Sequence, residues 1–347
     1  MRFSATGMLL AWVMLVCSFA GMRAGTVADS AAQVDLRPRI NGAIRARYEY
    51  ATQGGEERFQ VRNARLTIAG DLAPAIDYYI QADLYDRGDM KILGAWGQLE
   101  LAKGLKLRGG QFRLPMGTDC FRGPATYIFA NRSFLVRRMN NVRGVGAMLA
   151  CSGAFAGGSW GLDCGAFNPT SITDQKRWVK ELAYAAKGRV TVGNTTVEAG
   201  WETLCPDLVR INLAGASVNC RLGGLTLEGE YLYKHDTHGA HKAAHGWQVF
   251  GNYAFPVKRG MFNSASVQAR YDGITAHSDG ITDDSDRLVT NFDACNRITA
   301  GGTVTYSYKR VHCDIRLSYE KFFYHKDHMR GNPDAEDKIC AELVVRF

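Results

Sequence analysis

One stretch of the chain concentrates positive charge. From Arg113 to Arg143 the sequence contains six arginines and a single acid, Asp119. Guanidinium groups remain protonated at physiological pH and bind phosphate or carboxylate through paired hydrogen bonds. Such groups around a narrow passage raise the local concentration of anions and repel cations. We therefore predict an anion-selecting constriction in this stretch. Its candidate residues are Arg113, Arg122, Arg132, Arg137, Arg138 and Arg143.

A second set of cations alternates with apolar residues in segments that look like strands. Acids are about as frequent on the same face of those segments, so this predicted polar wall is nearly neutral. The alternative for the arginine-rich stretch is that its side chains pair with these wall acids and only hold the stretch in place. The candidate wall cations are Arg45, Arg47, Lys106, Arg108, Lys187 and Arg189.

Other chemical motifs are weaker. Four histidines between His235 and His245 could bind a transition metal, but a polar surface loop explains them equally well. The pattern from Gly157 to Gly161 matches G-x-S-x-G, yet a strand pattern follows it where a hydrolase needs a helix. Arg87-Gly-Asp89 is more simply a turn than an adhesion motif. Walker, HExxH and dinucleotide fingerprints are missing from the sequence, so we predict no metal, no cofactor, no catalytic residue and no enzyme.

The first residues predict export. Arg2, an apolar run from Met8 to Cys17 and small residues after it form the layout of a secretory signal peptide. The run is too short to cross a bilayer as a helix. We assign residues 1–24 to the signal peptide, with alternative cleavage sites near residues 20 and 28. Removing Arg2 and Arg23 lowers the formal charge from +8 to +6, too mild a charge to predict nucleic-acid binding.

The rest of the chain alternates with a period of two. Ile339, Ala341 and Leu343 alternate with polar or small residues up to the terminal Phe347, and similar segments recur along the sequence. About sixteen such segments follow Arg39, joined in turn by tight turns and longer polar loops. This pattern is typical of outer-membrane barrels, and sixteen strands leave a water-filled channel. We predict an all-β, transmembrane antiparallel β-barrel over residues 39–347, preceded by a short N-terminal segment over 25–38.

Eight cysteines remain after the signal peptide. Cys164, Cys220 and Cys313 fall on the apolar face of predicted strands, where they read as small hydrophobic side chains. Three others fall in predicted loops, where an oxidising periplasm could pair two of them. These three are Cys120, Cys205 and Cys295.

At this level of detail the chain resembles the phosphate-selective porin O and P family. The resemblance spans roughly residues 39–347 and depends on the order of short motifs. These motifs are Val61-Arg-Asn-Ala-Arg-Leu66, Gly70, Ala95-Trp-Gly-Gln-Leu99, Gly110-Gln-Phe112, Pro115, Asn131-Arg-Ser133, Arg143-Gly-Val-Gly146, Gly165-Ala-Phe-Asn168, Arg270-Tyr-Asp272 and Leu343-Val-Val-Arg-Phe347. The resemblance implies a sixteen-stranded homotrimeric porin whose third outer loop folds into the lumen, with a preference for anions such as phosphate.

The sequence therefore predicts a passive, anion-preferring porin in the outer membrane of a Gram-negative bacterium. Its expected partners are small anionic solutes, outer-membrane lipid and the barrel-assembly machinery, which is expected to read the terminal Phe347. A surface adhesin or structural barrel and a barrel enzyme with a lumenal site are the alternatives. The adhesin would need larger outer loops, and the enzyme would need a nucleophile and base that the strand pattern does not bring together.

Overall fold

Strict alternation of apolar and polar residues builds strands along almost the whole chain. A computed structural model describes residues 34–86, 89–139, 142–169, 178–205, 209–278, 280, 282–326 and 333–347. The predicted signal peptide, residues 1–24, lies outside the described residues, as do Arg87 and Gly88 of the predicted turn. The described part contains sixteen strands, as predicted from the sequence. They are β1 (Arg39–Ala51), β2 (Glu57–Ala73), β3 (Ile76–Asp86), β4 (Asp89–Ala102), β5 (Leu105–Arg113), β6 (Arg143–Phe155), β7 (Gly158–Phe167), β8 (Ala183–Val192), β9 (Thr195–Leu204), β10 (Ile211–Leu222), β11 (Leu225–Asp236), β12 (Ala244–Arg259), β13 (Phe262–Ile274), β14 (Cys295–Tyr308), β15 (Val311–Tyr324) and β16 (Lys338–Arg346).

Each strand pairs antiparallel with its neighbours in the chain, and β1 pairs with β16 to close the barrel. Short helical turns occur at Asp119–Phe121, Leu135–Met139, Thr237–Gly239 and Pro333–Ala335. Within the described residues, no helix combines the length and apolar character needed to cross a membrane.

The connections differ at the two ends of the barrel. One end has tight turns, including the four predicted around Pro74, Gly104, Gly193 and Gly223. Gly193 and Gly223 have φ of +54° and +58°, a backbone conformation that glycine adopts without strain. Most connections at the other end are longer, which is the asymmetry of periplasmic turns and outer loops.

The two faces of the wall differ in chemistry as the alternation predicts. In β1, Ile44 is 48% exposed while the adjacent Arg45 is 3% exposed. In β15, Ile315 and Leu317 are exposed and alternate with the buried Arg316. The apolar set forms the outer face and the polar set the inner face, so the predicted register is confirmed. Cys164, Cys220 and Cys313 lie on the apolar side of this alternation, as predicted.

The end of the chain completes the closure between β1 and β16. The backbone of Phe347 exchanges hydrogen bonds with Gly42, at 2.8 Å to the Phe347 oxygen and 3.1 Å from the Phe347 nitrogen. A Cβ atom added at Gly42 would come within 2.3 Å of the Phe347 ring. The absence of a side chain at residue 42 therefore leaves room for the terminal aromatic ring on the seam.

Candidate functional site

The arginine-rich stretch is the connection between β5 and β6, described for residues 114–139 and 142 and here called the β5–β6 connection. Arg113 and Arg143 are the strand residues at its two ends, and they pair with each other in the β5–β6 ladder. Apolar side chains of the connection pack with inner-face residues of the wall. Leu114, Met116 and Phe134 are almost fully buried in this cluster. The burial of these side chains removes apolar surface from water and holds the connection against the wall.

Arginines of the inner face hold the connection through its backbone carbonyl groups. Six of them, from β1, β13, β14, β15 and β16, donate to carbonyl oxygens between residues 125 and 132. These bonds are Arg45 to Ala130 at 2.6 Å, Arg47 to Ala130 at 2.5 Å, Arg270 to Asn131 at 3.1 Å, Arg297 to Arg132 at 2.7 Å, Arg316 to Tyr127 at 2.8 Å and Arg346 to Ala125 at 2.8 Å. The bonds are charge-assisted, so they are stronger than hydrogen bonds between neutral groups.

Inner-face acids bind the same connection through its N–H groups. Glu230 of β11 accepts from the backbone nitrogens of Thr118, at 2.6 Å, and Asp119, at 3.1 Å. Asp272 of β13 accepts from the backbone nitrogen of Phe134 at 2.9 Å. Cationic and anionic side chains of the wall therefore both bind the connection.

A single carboxylate pairs with three arginines near the place where β1 and β16 close the barrel. Glu342 of β16 is fully buried at its side chain and pairs with Arg45 at 2.6 Å, Arg47 at 2.9 Å and Arg316 at 2.7 Å. This buried carboxylate fixes the positions of three guanidinium groups, because its loss would leave all of them without the counter-charge that they share.

Arg122 has a structural role in the connection. It pairs with Asp119 at 2.9 Å and with Glu228 of β11. Burial acts to raise the pKa of the Asp119 carboxyl, but Arg122 and Arg270 outweigh it and hold the pKa below its ordinary value. Arg122 therefore pairs with an acid of the wall, Glu228, which is the arrangement that the alternative describes.

Arg132 and Arg143 are also tied to protein acceptors. Arg132 donates from Nε to the Tyr127 hydroxyl at 2.7 Å and from Nη2 to the Arg122 carbonyl at 3.0 Å. Its third nitrogen, Nη1, is buried and has no hydrogen-bond partner among the described residues. Arg143 donates to the carbonyl of Leu93.

Arg137 and Arg138 lie in the π-helical turn Leu135–Met139. The Arg138 guanidinium stacks 4.0 Å from the centroid of the Phe292 ring. Arg137 keeps part of its surface exposed to solvent although neighbouring protein surrounds much of the residue, and no ion pair to it forms among the described residues. Surrounding protein desolvates it and Arg297 repels its charge, so its pKa falls to about 10 and the group remains protonated at neutral pH.

The predicted wall cations divide into two groups. Arg45 and Arg47 hold the connection, as described above. Lys187 joins them, since it donates to the Gly117 carbonyl at 2.6 Å and pairs with Glu198 at 2.7 Å. Arg108 lies away from the connection, donates to Gln98 at 2.8 Å and stacks 4.1 Å from the Trp96 ring centroid.

Lys106 and Arg189 are the most solvated members of the predicted set. Lys106 forms a loose pair with Glu100 at 3.9 Å. Arg189 is exposed and reaches toward Gly161 on the neighbouring strand.

The structure also brings three of the predicted constriction residues close to an arginine that was not predicted as a site residue. Arg65 of β2, Arg113, Arg132 and Arg143 are within electrostatic range of one another and are here called the arginine cluster. Within this cluster, Asp83 pairs with Arg65 at 2.8 Å. Arg65 was visible in the sequence only as part of a short family motif, because its approach to the arginine-rich stretch depends on the folded barrel.

Arg297 and Asp272 were missed as well. They lie at polar positions of alternating strands, and the side chain of each is fully buried in their 2.8 Å ion pair. The alternation of β14 would have placed Arg297 on the inner face, but its contact with the connection depends on the closed barrel.

The remaining sequence motifs form no further site in the part of the chain that the structure describes. His235 stacks against Tyr233, the His245 ring is tilted against the same tyrosine, and His241 bonds Thr290. No group of three potential metal ligands occurs among the described residues. Ser159 lies within strand β7, without the helix that a hydrolase nucleophile requires.

The cysteines expected in loops form no disulfide in the described residues. Cys120 and Cys295 are buried, and Cys295 is the first residue of β14 rather than a loop residue. Burial raises the pKa of the Cys120 thiol to about 12, so the thiol stays neutral.

Residues 34–223 match the sequence profile of the family described as phosphate-selective porin O and P. This match covers more than half of the chain, and the chain belongs to that family. It is a porin of the Gram-negative outer membrane. A comparison with curated protein sequences gives no match.

Solved structures show the same fold at low sequence identity. The anion-selective porin from Comamonas acidovorans has a TM-score of 0.58 and 12% identity, covering 89% of this chain and 98% of its own. The porin OmpF of Salmonella typhi, in complex with daunomycin, has a TM-score of 0.60 and 10% identity, covering 89% and 97%. The trimer form of OmpT from Vibrio cholerae has a TM-score of 0.56 and 10% identity, covering 90% and 98%.

Proposed function

We propose that this porin is an anion-preferring diffusion channel for small hydrophilic solutes, narrowed by a β5–β6 connection that folds into the lumen. The arginine cluster carries the proposal. Arg65, Arg113, Arg132 and Arg143 bring four guanidinium groups within electrostatic range of one another, and Asp83 pairs with Arg65. Four guanidinium groups so close together raise the positive potential at this site.

The contacts of the connection support its lumenal position. It bonds Arg45 and Arg316 near the closing seam and also Glu230 of β11. These side chains belong to the inner face of well-separated strands. A segment of this length reaches all of them most directly across the interior of the barrel.

One further feature favours anions over cations. The exposed Arg137 adds a protonated charge that is not neutralised by an ion pair in the described structure. Phosphate is the first solute to test, since the family is described by its selectivity for phosphate.

The trimeric assembly is also a proposal for this chain. OmpT of Vibrio cholerae, which shares the fold, occurs in a trimer form. The large exposed apolar face offers surface for such contacts as well as for lipid. The barrel-assembly machinery is the expected partner during insertion, and the aromatic Phe347 at the end of β16 is its proposed recognition element.

The decisive experiment is a reversal-potential measurement on the purified porin in a planar bilayer under a chloride salt gradient. We expect an anion-directed potential, and partial block of the chloride current by millimolar phosphate. Arg113→Gln should reduce both effects by removing one charge of the arginine cluster.

Arg310→Gln is the matched control, because Arg310 is an exposed arginine in the turn between β14 and β15. It should leave selectivity unchanged. A cation-directed potential in the unmodified porin would refute the proposed preference for anions.

A further inference from the structure

A cluster of four rings lies on the outer face near the long-connection end of β11 and β12. It consists of Tyr231, Tyr233, His235 and His245 and is here called the ring cluster. The Tyr233 ring centroid is 6.3 Å from that of His235, with the rings nearly parallel, and 5.3 Å from that of His245. Tyr231 and Tyr233 are 45% and 36% exposed, so the cluster is open to the surroundings of the barrel.

The hydrogen bond within the cluster engages one of the two nitrogens of the His245 ring. The Tyr231 hydroxyl and His245 Nδ1 are 2.5 Å apart. A neutral imidazole that accepts the phenol proton at Nδ1 carries its own hydrogen on Nε2. A protonated imidazole carries hydrogens on both nitrogens. In both of these states Nε2 of His245 is a donor, whereas in the remaining tautomer Nδ1 donates to the Tyr231 oxygen and Nε2 is an acceptor. A phosphate at Nε2 would select the states that carry a hydrogen there.

The cluster borders a shallow apolar groove. Strand pairing aligns Trp201, Ala214 and Tyr233 in one row across β9, β10 and β11. The next row aligns Ala216 with Tyr231. Ala214 and Ala216 are exposed, and their small side chains leave a depression between the 43% exposed Trp201 and the two tyrosines.

Cationic groups border the same rim. Lys242 is exposed in the connection between β11 and β12. Arg210 precedes β10, bonds Thr203 at 2.9 Å and pairs with Glu181, so its charge is already compensated. The rim therefore presents imidazole and ammonium donors above an apolar groove. This arrangement is complementary to an amphiphile, whose anionic head would meet the donors of the rim and whose hydrocarbon chains would lie in the groove.

We propose that this surface is a docking site for a phosphate-bearing lipid of the outer leaflet. The phosphate lies against His235, His245 and Lys242, and an acyl chain follows the groove over Ala214 and Ala216. The site is on the outer face of the wall, so it is independent of the proposed anion selectivity of the pore.

The test uses the folded full-length porin in a neutral detergent, with bis-phosphorylated lipid A as the probe and native mass spectrometry as the readout. The variant His235→Ala/His245→Ala should bind the probe about tenfold more weakly, the loss expected for a hydrogen bond to a charged acceptor. The control His312→Ala/His325→Ala removes two histidines elsewhere and should bind as the unmodified protein does. Heat-modifiable migration in detergent gels verifies that each variant is folded.

A second variant tests the groove separately. Ala214→Leu fills the depression and should weaken binding of the probe while both histidines remain. Dephosphorylated lipid A should bind weakly to all variants.

Equal binding by the histidine variant and the control would overturn the proposal. Equal binding of the phosphorylated and dephosphorylated probes would overturn it too, because the surface would then be an ordinary apolar annulus. Displacement of lipid A by millimolar inorganic phosphate alone would overturn the assignment to a lipid. Reversal potentials should be the same in all these variants, which separates this result from failure of the proposed pore selectivity.

Discussion

Arg137→Glu is the sharpest test of how the β5–β6 connection influences permeation. Arg137 is exposed, protonated at neutral pH and not part of an ion pair within the described structure. Its replacement changes the charge by two units without breaking a bond that holds the connection. Arg122 would be a poor choice, because its ion pairs with Asp119 and Glu228 would be lost as well.

The size of the effect follows from Coulomb's law. An ion passing about 8 Å from the side chain in water interacts with one unit charge by about 0.5 kcal/mol before screening. A two-unit change acts with opposite sign on anions and cations, so their difference changes by about 2 kcal/mol. At 0.1 M salt the Debye length of about 10 Å reduces this difference to about 0.9 kcal/mol. The anion-to-cation permeability ratio should therefore fall about fivefold.

The dependence on salt provides a second measurement. At 0.01 M salt, where the Debye length is about 30 Å, the ratio should fall about fifteenfold. At 1 M, where it is about 3 Å, the change should shrink to about 1.3-fold. The assay is the reversal potential in a planar bilayer at a fixed salt gradient for each mean concentration.

Arg287→Glu is the matched control, since Arg287 is 77% exposed at its side chain and pairs with Asp283 in the connection between β13 and β14. It should change the ratio much less than Arg137→Glu. If the reversal potential of Arg137→Glu equals that of the unmodified porin at 0.01 M salt, Arg137 does not face the permeation path. The lumenal position assigned to its helical turn would then be wrong.

Three other perturbations test the architecture around the connection. Glu342→Gln should destabilise the porin by about 3 kcal/mol, because the arginines that share this buried carboxylate lose their counter-charge. Melting followed on detergent gels would measure the loss, with Glu181→Gln at an exposed glutamate as the control. An unchanged melting temperature would contradict the structural role of Glu342. Deleting Phe347 should lower the folded yield in cells more than it lowers the stability of the barrel in detergent. Gly42→Ala, which crowds the Phe347 ring, should lower the stability itself. Equal effects of the deletion on yield and on stability would exclude a separate role of Phe347 in assembly. The pKa of Asp119 is depressed in the folded state, so the stability that its charge contributes is present above the unfolded pKa of about 3.9 and is lost as pH falls through the folded pKa. Acidification should therefore loosen the β5–β6 connection and raise the noise of the channel current. This rise should be absent in Asp119→Asn if the assignment is correct.

Much of the fold follows from local pattern. In β16, Ile339, Leu343 and Val345 alternate with Lys338 and Glu342, so one face of the strand is apolar and the other is polar. A shift of the strand register by one residue would expose every charge to lipid. Such information is contained in adjacent residues, so the strand count, the wall faces and the tight turns were predictable.

The roles of the arginines were not predictable in the same way. Sequence identified the six residues between Arg113 and Arg143 as an excess of charge, but it left open whether they act on a solute or pair with acids. Arg122 pairs, whereas Arg137 is exposed. This division depends on which wall acids lie opposite each arginine once the barrel has closed.

The sequence by itself determined the barrel, because period-two alternation and strand register are set by residues adjacent in the chain and across tight turns. Only the tertiary structure decided which cations hold the connection and which remain solvated. Arg45 and Glu342 are separated by 297 residues in sequence, yet they form one buried ion pair with an N–O distance of 2.6 Å. Closure of β1 on β16 creates that contact, and no local pattern encodes the distance between groups so far apart in the chain.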